Sequence, residues 1–289
     1  MTKFSGLYTA IITPFKNNQI DQESLAKIIK FQIDGGVEGI VVCGTTGESP
    51  TLSHKEHKRV IKMAVELVGG KIKVIAGTGS NCTAESVELT QYAKEVGADA
   101  ALVVAPYYNK PTEDGLYQHF ATLEKCGLPI IIYNIPGRSV IDISDELIAK
   151  LSLLQNIVGV KDASGDLARV PKLISLLKDR ENFSILSGED LTTVGFNAMG
   201  GDGLISVTSN IKPKEIKEIQ QKCQDNDFIG AKILQNKLTS LHLSLFSETN
   251  PIPVKYACSL VGLCEKEIRL PLDSPNSKVI SKLQKLLEK

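Results

Sequence analysis

Ile130-Ile131-Ile132-Tyr133 is an unbroken hydrophobic run, and seven similar runs occur along the chain. Such a run fits a strand in a sheet that is covered on both faces, because neither face then meets water. The runs begin on average about 28 residues apart, which leaves room for one helix between consecutive strands. The eight predicted strands are Leu7–Ile12, Gly39–Val42, Lys73–Ala76, Ala100–Val104, Ile130–Tyr133, Ile157–Val160, Phe183–Leu186 and Gly203–Ser206.

The segments between these runs have the periodicity of helices. Apolar residues within 25–33 and within 60–67 recur at the three- and four-residue spacing of one helix face. Ser53 begins a capping box, and Thr83 and Ser144 are predicted N-caps. Eight alternating units predict an α/β fold of the (β/α)8 barrel type. A doubly wound open sheet is the alternative, but it typically has about five or six strands, and no GxGxxG follows the first run.

The sequence predicts a division into two domains. Residues 1–224 contain all eight strand–helix units and form the predicted catalytic barrel, whereas residues 225–289 have only helical patterns. Leu234, Leu238, Leu241 and Leu245 form one packing stripe in this second part. Because no Gly/Ser linker separates the two parts, we expect the helical domain to be docked on the barrel.

Composition excludes several classes of function. The 289 residues carry 33 Lys and Arg against 33 Asp and Glu, so the formal net charge is zero and nucleic-acid binding is disfavoured. No apolar run has the roughly 18–20 residues that span a bilayer, and the amino terminus lacks the apolar stretch of a secretory signal. We therefore expect a cytoplasmic protein that binds neither nucleic acid nor membrane.

The cysteines and histidines give no metal site. Six cysteines occur without a CxxC pair, so we expect reduced and mostly buried thiols. His54 and His57 lie close together near the start of a predicted helix, but no third ligand has a convincing spacing. A solvated helix face is the simpler interpretation, and we predict no metal.

Catalytic groups of such a barrel lie at the carboxyl ends of its strands. Lys161 directly follows the sixth run, so its amine is expected at the barrel mouth. Burial disfavours the charged ammonium and leaves free amine that can attack a carbonyl carbon. The alternative is a structural lysine paired with Asp162 or Glu48.

Polar groups at neighbouring strand ends fit the same chemistry. Tyr133 ends the fifth run and could move protons together with the hydroxyls of Thr45 and Thr46. Arg138 follows in a Pro-Gly turn and could hold a carboxylate with two hydrogen bonds. The alternatives are a tyrosine that only caps the core and an arginine in a structural ion pair.

Three of these motifs resemble the dihydrodipicolinate synthase family, one of the pyruvate-dependent class I aldolases. They are Gly44-Thr45-Thr46-Gly47-Glu48, Tyr133-Asn134-Ile135-Pro136 and Val158-Gly159-Val160-Lys161. The resemblance extends from about Gly6 to Pro271. It implies an enzyme of diaminopimelate and lysine biosynthesis, without cofactor or metal, that joins pyruvate to L-aspartate 4-semialdehyde.

The resemblance also implies a role for each matching residue. Lys161 would form an imine with pyruvate, and the resulting enamine would attack the aldehyde. Tyr133, Thr45 and Tyr108 match the family's proton relay. In the family, the residue that matches Tyr108 reaches in from a neighbouring subunit. Four further residues match positions that hold or surround the substrates: Thr46 and the backbone of Ile205 for pyruvate, Arg138 for the semialdehyde carboxylate, and Gly188 in a loop that lines the site.

Family members are often inhibited by lysine at a dimer interface, and they commonly form a tetramer built as a dimer of dimers. The matching positions for lysine here are Ser49, Pro50, His54, His57, Asn81, Glu85 and Tyr107. Pro50 departs from the alanine that is often found there and lacks its N–H. The resemblance thus predicts a homotetramer whose dimer is needed for catalysis.

Two other functions stay open at this point. One is a related pyruvate aldolase with a different aldehyde substrate, such as N-acetylneuraminate lyase or a keto-deoxy-sugar aldolase. The other is a barrel without catalysis that senses an amino acid through His54, His57 and Glu85.

Overall fold

Eight parallel strands close into a barrel in the computed structural model, which describes residues 3–177, 180 and 182–287. The first strand pairs with the eighth through Gly6 and Gly203 and with the second through Tyr8 and Gly39. In chain order the strands are β1 Gly6–Ala10, β2 Gly39–Val42, β3 Lys73–Gly77, β4 Ala100–Val104, β5 Ile130–Asn134, β6 Ile157–Asp162, β7 Ser184–Ser187 and β8 Gly203–Ser206.

The predicted (β/α)8 barrel with a C-terminal helical region is therefore confirmed. The predicted bounds of β2, β4 and β8 coincide with those of the structure, and the other strands differ by one or two residues at one or both ends. The first strand ends at Ala10, yet Ile11 and Ile12 stay buried, so a hydrophobic run overestimates the length of the strand there.

Helices follow the strands and cover the outside of the barrel. They are α1 Gln22–Asp34, α2 His54–Val68, α3 Thr83–Glu95, α4 Glu113–Glu124, α5 Asp145–Ser152, α6 Arg169–Leu176, α7 Thr193–Ala198, α8 Pro213–Gln224, α9 Phe228–Leu245, α10 Ile252–Leu260 and α11 Ser277–Leu287. A four-residue helix, Pro136–Ser139, follows β5, and a short hairpin joins Phe15–Lys16 to Gln19–Ile20.

Helix caps explain where several of these helices begin. Ser53 and Glu56 form the predicted capping box at α2, and Ser144 caps α5 as predicted. The prediction for Thr83 is wrong because Cys82 is the N-cap residue of α3. The Thr83 hydroxyl instead lies 2.9 Å from Nδ1 of His119 on α4.

The barrel has two hydrophobic layers because strand side chains alternate between its inside and its outside. The outer layer packs between the strands and the helices. The inner layer fills the barrel and consists of Phe4, Tyr8, Ala10, Val41, Ile75, Ala100, Leu102, Ile131, Tyr133, Val158, Leu186 and Ile205. A filled interior leaves the open end of the barrel as the place for a site.

The C-terminal region packs its helices on the barrel and on one another. Leu241 and Leu245 of α9 are buried, and Leu234 and Leu238 pack against the same core from the edge of the helix. The terminal residues of the two predicted domains, 1, 2, 288 and 289, lie outside the described residues. Among the helices that the structure describes, none has the length and apolarity of a membrane span.

Candidate active site

Lys161 and Tyr133 lie side by side at the open end of the barrel. They are register partners on the adjacent strands β6 and β5, and the Lys161 amine Nζ lies 4.3 Å from the centroid of the Tyr133 ring. Both side chains are buried, Lys161 with 5% of its surface exposed. An amine is thus held next to a phenol with little water around it.

Neither alternative partner of Lys161 forms an ion pair with its amine in the part of the chain that the structure describes. Asp162 accepts hydrogen bonds from Ser164 and Asn134, and its Oδ1 lies 3.7 Å from Nη1 of Arg169. Burial raises the pKa of the Asp162 carboxyl. Glu48 forms its ion pair with Lys255 instead. Lys161 is therefore available to a ligand.

The loop after β2 brings Thr45 and Thr46 to the same place. Cys43 and Glu48, at its two ends, have left-handed φ angles of 53° and 54°. Residues other than glycine adopt this conformation at a cost of order 1 kcal/mol, so surrounding contacts must hold the loop. Gly77 of β3 allows the close approach, since a Cβ there would lie 2.3 Å from the Cys43 carbonyl oxygen.

A cavity of about 590 Å³ opens over these groups. Its walls come from the loops after five barrel strands and from the segment between α9 and α10. The lining residues are Thr45, Thr46, Tyr133, Ile135, Gly137, Arg138, Lys161, Ala163, Gly188, Glu189, Val207, Phe246, Ser247, Glu248, Thr249 and Asn250.

Arg138 supplies the cationic group of this cavity besides Lys161. Its Nη2 donates a 2.8 Å hydrogen bond to the backbone carbonyl of Asn250, and no carboxylate of the described residues forms an ion pair with it. The rest of the guanidinium is free to bind a carboxylate. Asn250 also donates from Nδ2 to Oγ1 of Thr46 at 3.0 Å, so it contacts two residues of the predicted site.

Gly188 and Glu189 form the wall contributed by β7. A Cβ at Gly188 would lie 3.0 Å from Cε of Lys161 and 2.7 Å from Cβ of Ala163, so glycine makes room for the lysine stem. Burial and the neighbouring Asp190 raise the pKa of Glu189, while Lys161 opposes the shift. The seventh strand end is thus shaped to hold the amine in place.

Ile205 takes a different position from the other predicted residues. It is fully buried in the inner layer on β8, and the residue of this strand end that lines the cavity is Val207. Tyr108 lies outside the cavity of its own chain, with 87% of its surface exposed and a φ of 73°.

A second, smaller cavity of about 200 Å³ adjoins the first. It shares Thr45, Ile135 and Arg138 with the first cavity and contains three residues of the predicted lysine site, Ser49, Pro50 and Tyr107. Burial and the nearby Glu85 raise the pKa of the Tyr107 phenol. The two cavities therefore meet at Thr45, Ile135 and Arg138.

The other predicted lysine-site residues form contacts beside this cavity. His54 Nε2 lies 2.7 Å from Oε1 of Glu85, and the Asn81 carbonyl accepts from Asn109. His57 is buried with Nε2 2.7 Å from the Gly77 carbonyl, and burial lowers its pKa. The expectation of a solvated face fits His54 and is wrong for His57.

Sequence reasoning missed the C-terminal contribution to the site. Residues 246–250 line the cavity although they lie far along the chain from every strand end. The only local signal is the Asn250-Pro251-Ile252-Pro253 break between two helices. In the described parts of the chain, no group of three or more His, Cys, Asp or Glu residues is arranged to hold a metal ion.

Comparison with known proteins shows which family this chain is similar to. The model of the dihydrodipicolinate synthetase family matches residues 3–289. A 4-hydroxy-tetrahydrodipicolinate synthase from Parvibaculum lavamentivorans is 51% identical over 272 residues, which cover 93% of this chain and 92% of the relative. The dihydrodipicolinate synthase from Aquifex aeolicus has 48% identity and a TM-score of 0.96, with 99% of this chain and 97% of that chain covered.

Two further solved structures contain bound molecules. The dihydrodipicolinate synthase from Acinetobacter baumannii, complexed with pyruvate, has 44% identity and a TM-score of 0.95, with 98% of each chain covered. The enzyme from Cyanidioschyzon merolae, with lysine bound, has 33% identity and a TM-score of 0.94, with 100% of this chain and 98% of that chain covered.

Proposed function

The chain belongs to the dihydrodipicolinate synthetase family, and we propose that it is a 4-hydroxy-tetrahydrodipicolinate synthase, a lyase of diaminopimelate and lysine biosynthesis. Its substrates are pyruvate and L-aspartate 4-semialdehyde. The observation that carries the proposal is the buried Lys161 amine, which faces Tyr133 in a cavity that also contains Arg138.

The first half of the reaction takes place on Lys161. The neutral amine attacks the keto carbon of pyruvate, and loss of water gives a protonated imine. This imine withdraws electrons, so the methyl carbon can lose a proton, which converts the imine into an enamine. Tyr133 and Thr45 carry the protons, with Tyr108 of a neighbouring subunit as the third member of the relay, while Thr46 and the backbone at Ile205 hold the pyruvate.

The second half joins the two substrates. The enamine carbon attacks the aldehyde carbon while Arg138 holds the carboxylate of the semialdehyde. The amino group of the adduct then attacks the imine carbon, the bond to Lys161 breaks, and the free amine returns. Gly188 leaves space for the lysine stem throughout these steps.

Borohydride trapping tests the imine. Incubation with pyruvate and borohydride is expected to add one reduced adduct at Lys161, located by peptide mass spectrometry. Lys255 is an internal control, because it is also buried but pairs with Glu48 outside the cavity. Trapping at Lys255 alone, or at neither lysine, would contradict the proposal.

Arg138→Ala tests the second substrate. Loss of a charged hydrogen-bonding partner typically costs about 1.5–3 kcal/mol, so kcat/KM for aspartate semialdehyde is expected to fall about ten-fold to a hundred-fold. Pyruvate trapping should persist. An unchanged kcat/KM in the variant would exclude Arg138 as the group that binds the semialdehyde carboxylate, and a wild type that traps pyruvate but does not turn over aspartate semialdehyde would favour an aldolase with another aldehyde substrate.

Assembly as a homotetramer, a dimer of dimers, is the second part of the proposal. It is supported by the exposure of Tyr108, which leaves its phenol available to a second copy of the chain. Mixed dimers of Tyr108→Phe and Lys161→Ala are expected to regain activity, since one of their two sites would have both residues intact. Mixed dimers without activity, verified by mass spectrometry, would refute the shared site.

Lysine inhibition is the third part. The proposed site joins the cavity residues Ser49, Pro50 and Tyr107 to His54, His57, Asn81 and Glu85, and the Glu85 carboxylate offers a partner for an ammonium group. Added lysine is expected to slow the coupled assay of the wild type, and Glu85→Gln is expected to weaken this effect. Equal inhibition of both proteins by lysine would exclude Glu85 from the lysine site.

A division into two domains is the fourth part of the proposal. Residues 1–224 form the catalytic barrel, and residues 225–289 form a helical domain that supplies the cavity wall at 246–250. A cytoplasmic location follows from the proposed biosynthetic role, and fractionation of cells that produce the protein tests it.

A further inference from the structure

Asn250 joins two substrate-binding residues that come from different strand ends. Its side-chain Nδ2 donates to Oγ1 of Thr46 at 3.0 Å, and its backbone carbonyl accepts from Nη2 of Arg138 at 2.8 Å. The residue is buried, with 8% of its surface exposed, and it lines the same cavity as Lys161. A single residue of the C-terminal region thus contacts both anion-binding groups of the proposed site.

The amide nitrogen of Asn250 faces the Thr46 hydroxyl, and Oδ1 of Asn250 is buried without a hydrogen-bond partner among the described residues. A hydroxyl has one hydrogen to donate and lone pairs that accept. The Asn250 amide occupies one lone pair, and among the described residues no protein group accepts the Thr46 hydrogen. Because Thr46 lines the cavity beside Lys161, this hydrogen is left for a ligand there.

We propose that Asn250 is a positioning residue that makes Thr46 a hydrogen-bond donor to the carboxylate of the ketoacid on Lys161. This inference rests on the proposed function, since it needs a carboxylate in the cavity. Asn250 itself does not touch the reacting atoms. It acts through Thr46, so its effect is expected in ketoacid binding rather than in the turnover of bound substrate.

The pyruvate concentration at half-maximal borohydride trapping tests the proposal without the second substrate. Asn250→Ala is expected to raise this concentration, and KM for pyruvate, about ten-fold, because a weakened bond to a charged group is worth about 1.5–3 kcal/mol. The kcat at saturating pyruvate is expected to change less than about two-fold. Asn236→Ala, at an exposed position on α9, is the matched control.

A double-mutant cycle with Thr46→Val identifies the route of the effect. In the Thr46→Val background, Asn250→Ala is expected to change the half-maximal concentration less than about two-fold, since the hydroxyl is already absent. An equal increase in both backgrounds would overturn the proposal, because Asn250 would then act independently of Thr46. An unchanged half-maximal concentration for Asn250→Ala alone would also overturn it.

Asn250→Asp provides a second variant of nearly the same shape. A carboxylate can only accept, so it is expected to take the Thr46 hydrogen and withhold it from the ketoacid. Its effect should therefore also be coupled to Thr46→Val, beyond any charge repulsion that persists in both backgrounds. The absence of coupling for Asn250→Asp refutes the donor assignment. Absence of pyruvate trapping in the wild type would instead refute the proposed function itself.

Discussion

Replacing Lys255 by methionine is expected to destabilise the fold strongly. Lys255 on α10 is 1% exposed, pairs with Oε1 of the equally buried Glu48, and lies 4.0 Å from the centroid of the Phe15 ring. The other Glu48 oxygen accepts only from the backbone N–H of Arg269, at 3.2 Å, among the described residues. Lys255→Met would therefore leave a buried carboxylate with one hydrogen bond.

Removing one partner of a buried ion pair costs about 3–5 kcal/mol, whereas replacing both by groups of similar volume is often nearly neutral. Lys255→Met is therefore expected to lower the free energy of unfolding by about 3–5 kcal/mol, a large part of the roughly 5–15 kcal/mol of a typical protein. Lys255→Met combined with Glu48→Gln removes both charges, and the glutamine can still accept from Arg269. The double variant is expected to recover most of the loss.

Urea unfolding followed by far-ultraviolet circular dichroism measures these differences, because the chain has no tryptophan for fluorescence. Protein concentration must be equal in all samples, since the proposed assembly would contribute to apparent stability. A free energy of unfolding for Lys255→Met within about 1 kcal/mol of the wild-type value, or a double variant no more stable than the single one, would refute a stabilising role of this ion pair.

Two further predictions concern the pH dependence of stability and the room beside the Lys161 side chain. Burial lowers the pKa of His119 to about 4. As the pH falls, the unfolded chain therefore takes up a proton at this residue before the folded chain does. The free energy of unfolding is expected to fall by about 2 kcal/mol from this residue between about pH 7.5 and about pH 5. His119→Asn is expected to reduce the measured loss by that amount, and an identical loss in both proteins would contradict this. Gly188→Ala is expected to lower pyruvate trapping at Lys161 at least about ten-fold, because the new Cβ would lie 3.0 Å from Cε of that lysine; trapping at the wild-type level would contradict the steric argument.

The strands and the central amine were predictable because both depend on local sequence. An unbroken hydrophobic run fits a strand covered on both faces, and the residue directly after such a run lies at the barrel mouth. The ends of neighbouring strands therefore predict that Lys161 and Tyr133 lie together, and the two residues are register partners. Thr83 shows the limit of local patterns, because its hydroxyl contacts His119 on another helix and Cys82 takes the N-cap position.

The contribution of the C-terminal region was not predictable in the same way. Asn250 contacts a residue 204 positions earlier, and Lys255 pairs with a residue 207 positions earlier. Each is a single polar residue in a helical region without a motif, and no periodicity relates it to its partner. Such contacts depend on how α9 and α10 dock on the barrel, which is a property of the complete fold.

These two long-range contacts both reach the short loop after β2, at Thr46 and at Glu48. Cys43 and Glu48 hold left-handed backbone angles at its ends, and that conformation needs support from outside the loop. Lys255 anchors the loop at Glu48, and Asn250 contacts its hydroxyl group at Thr46. A loop held in this way is preorganised, so under the proposed function the ketoacid need not supply the free energy of ordering it. Weakening the docking of α10 is therefore expected to impair ketoacid binding before the barrel itself unfolds.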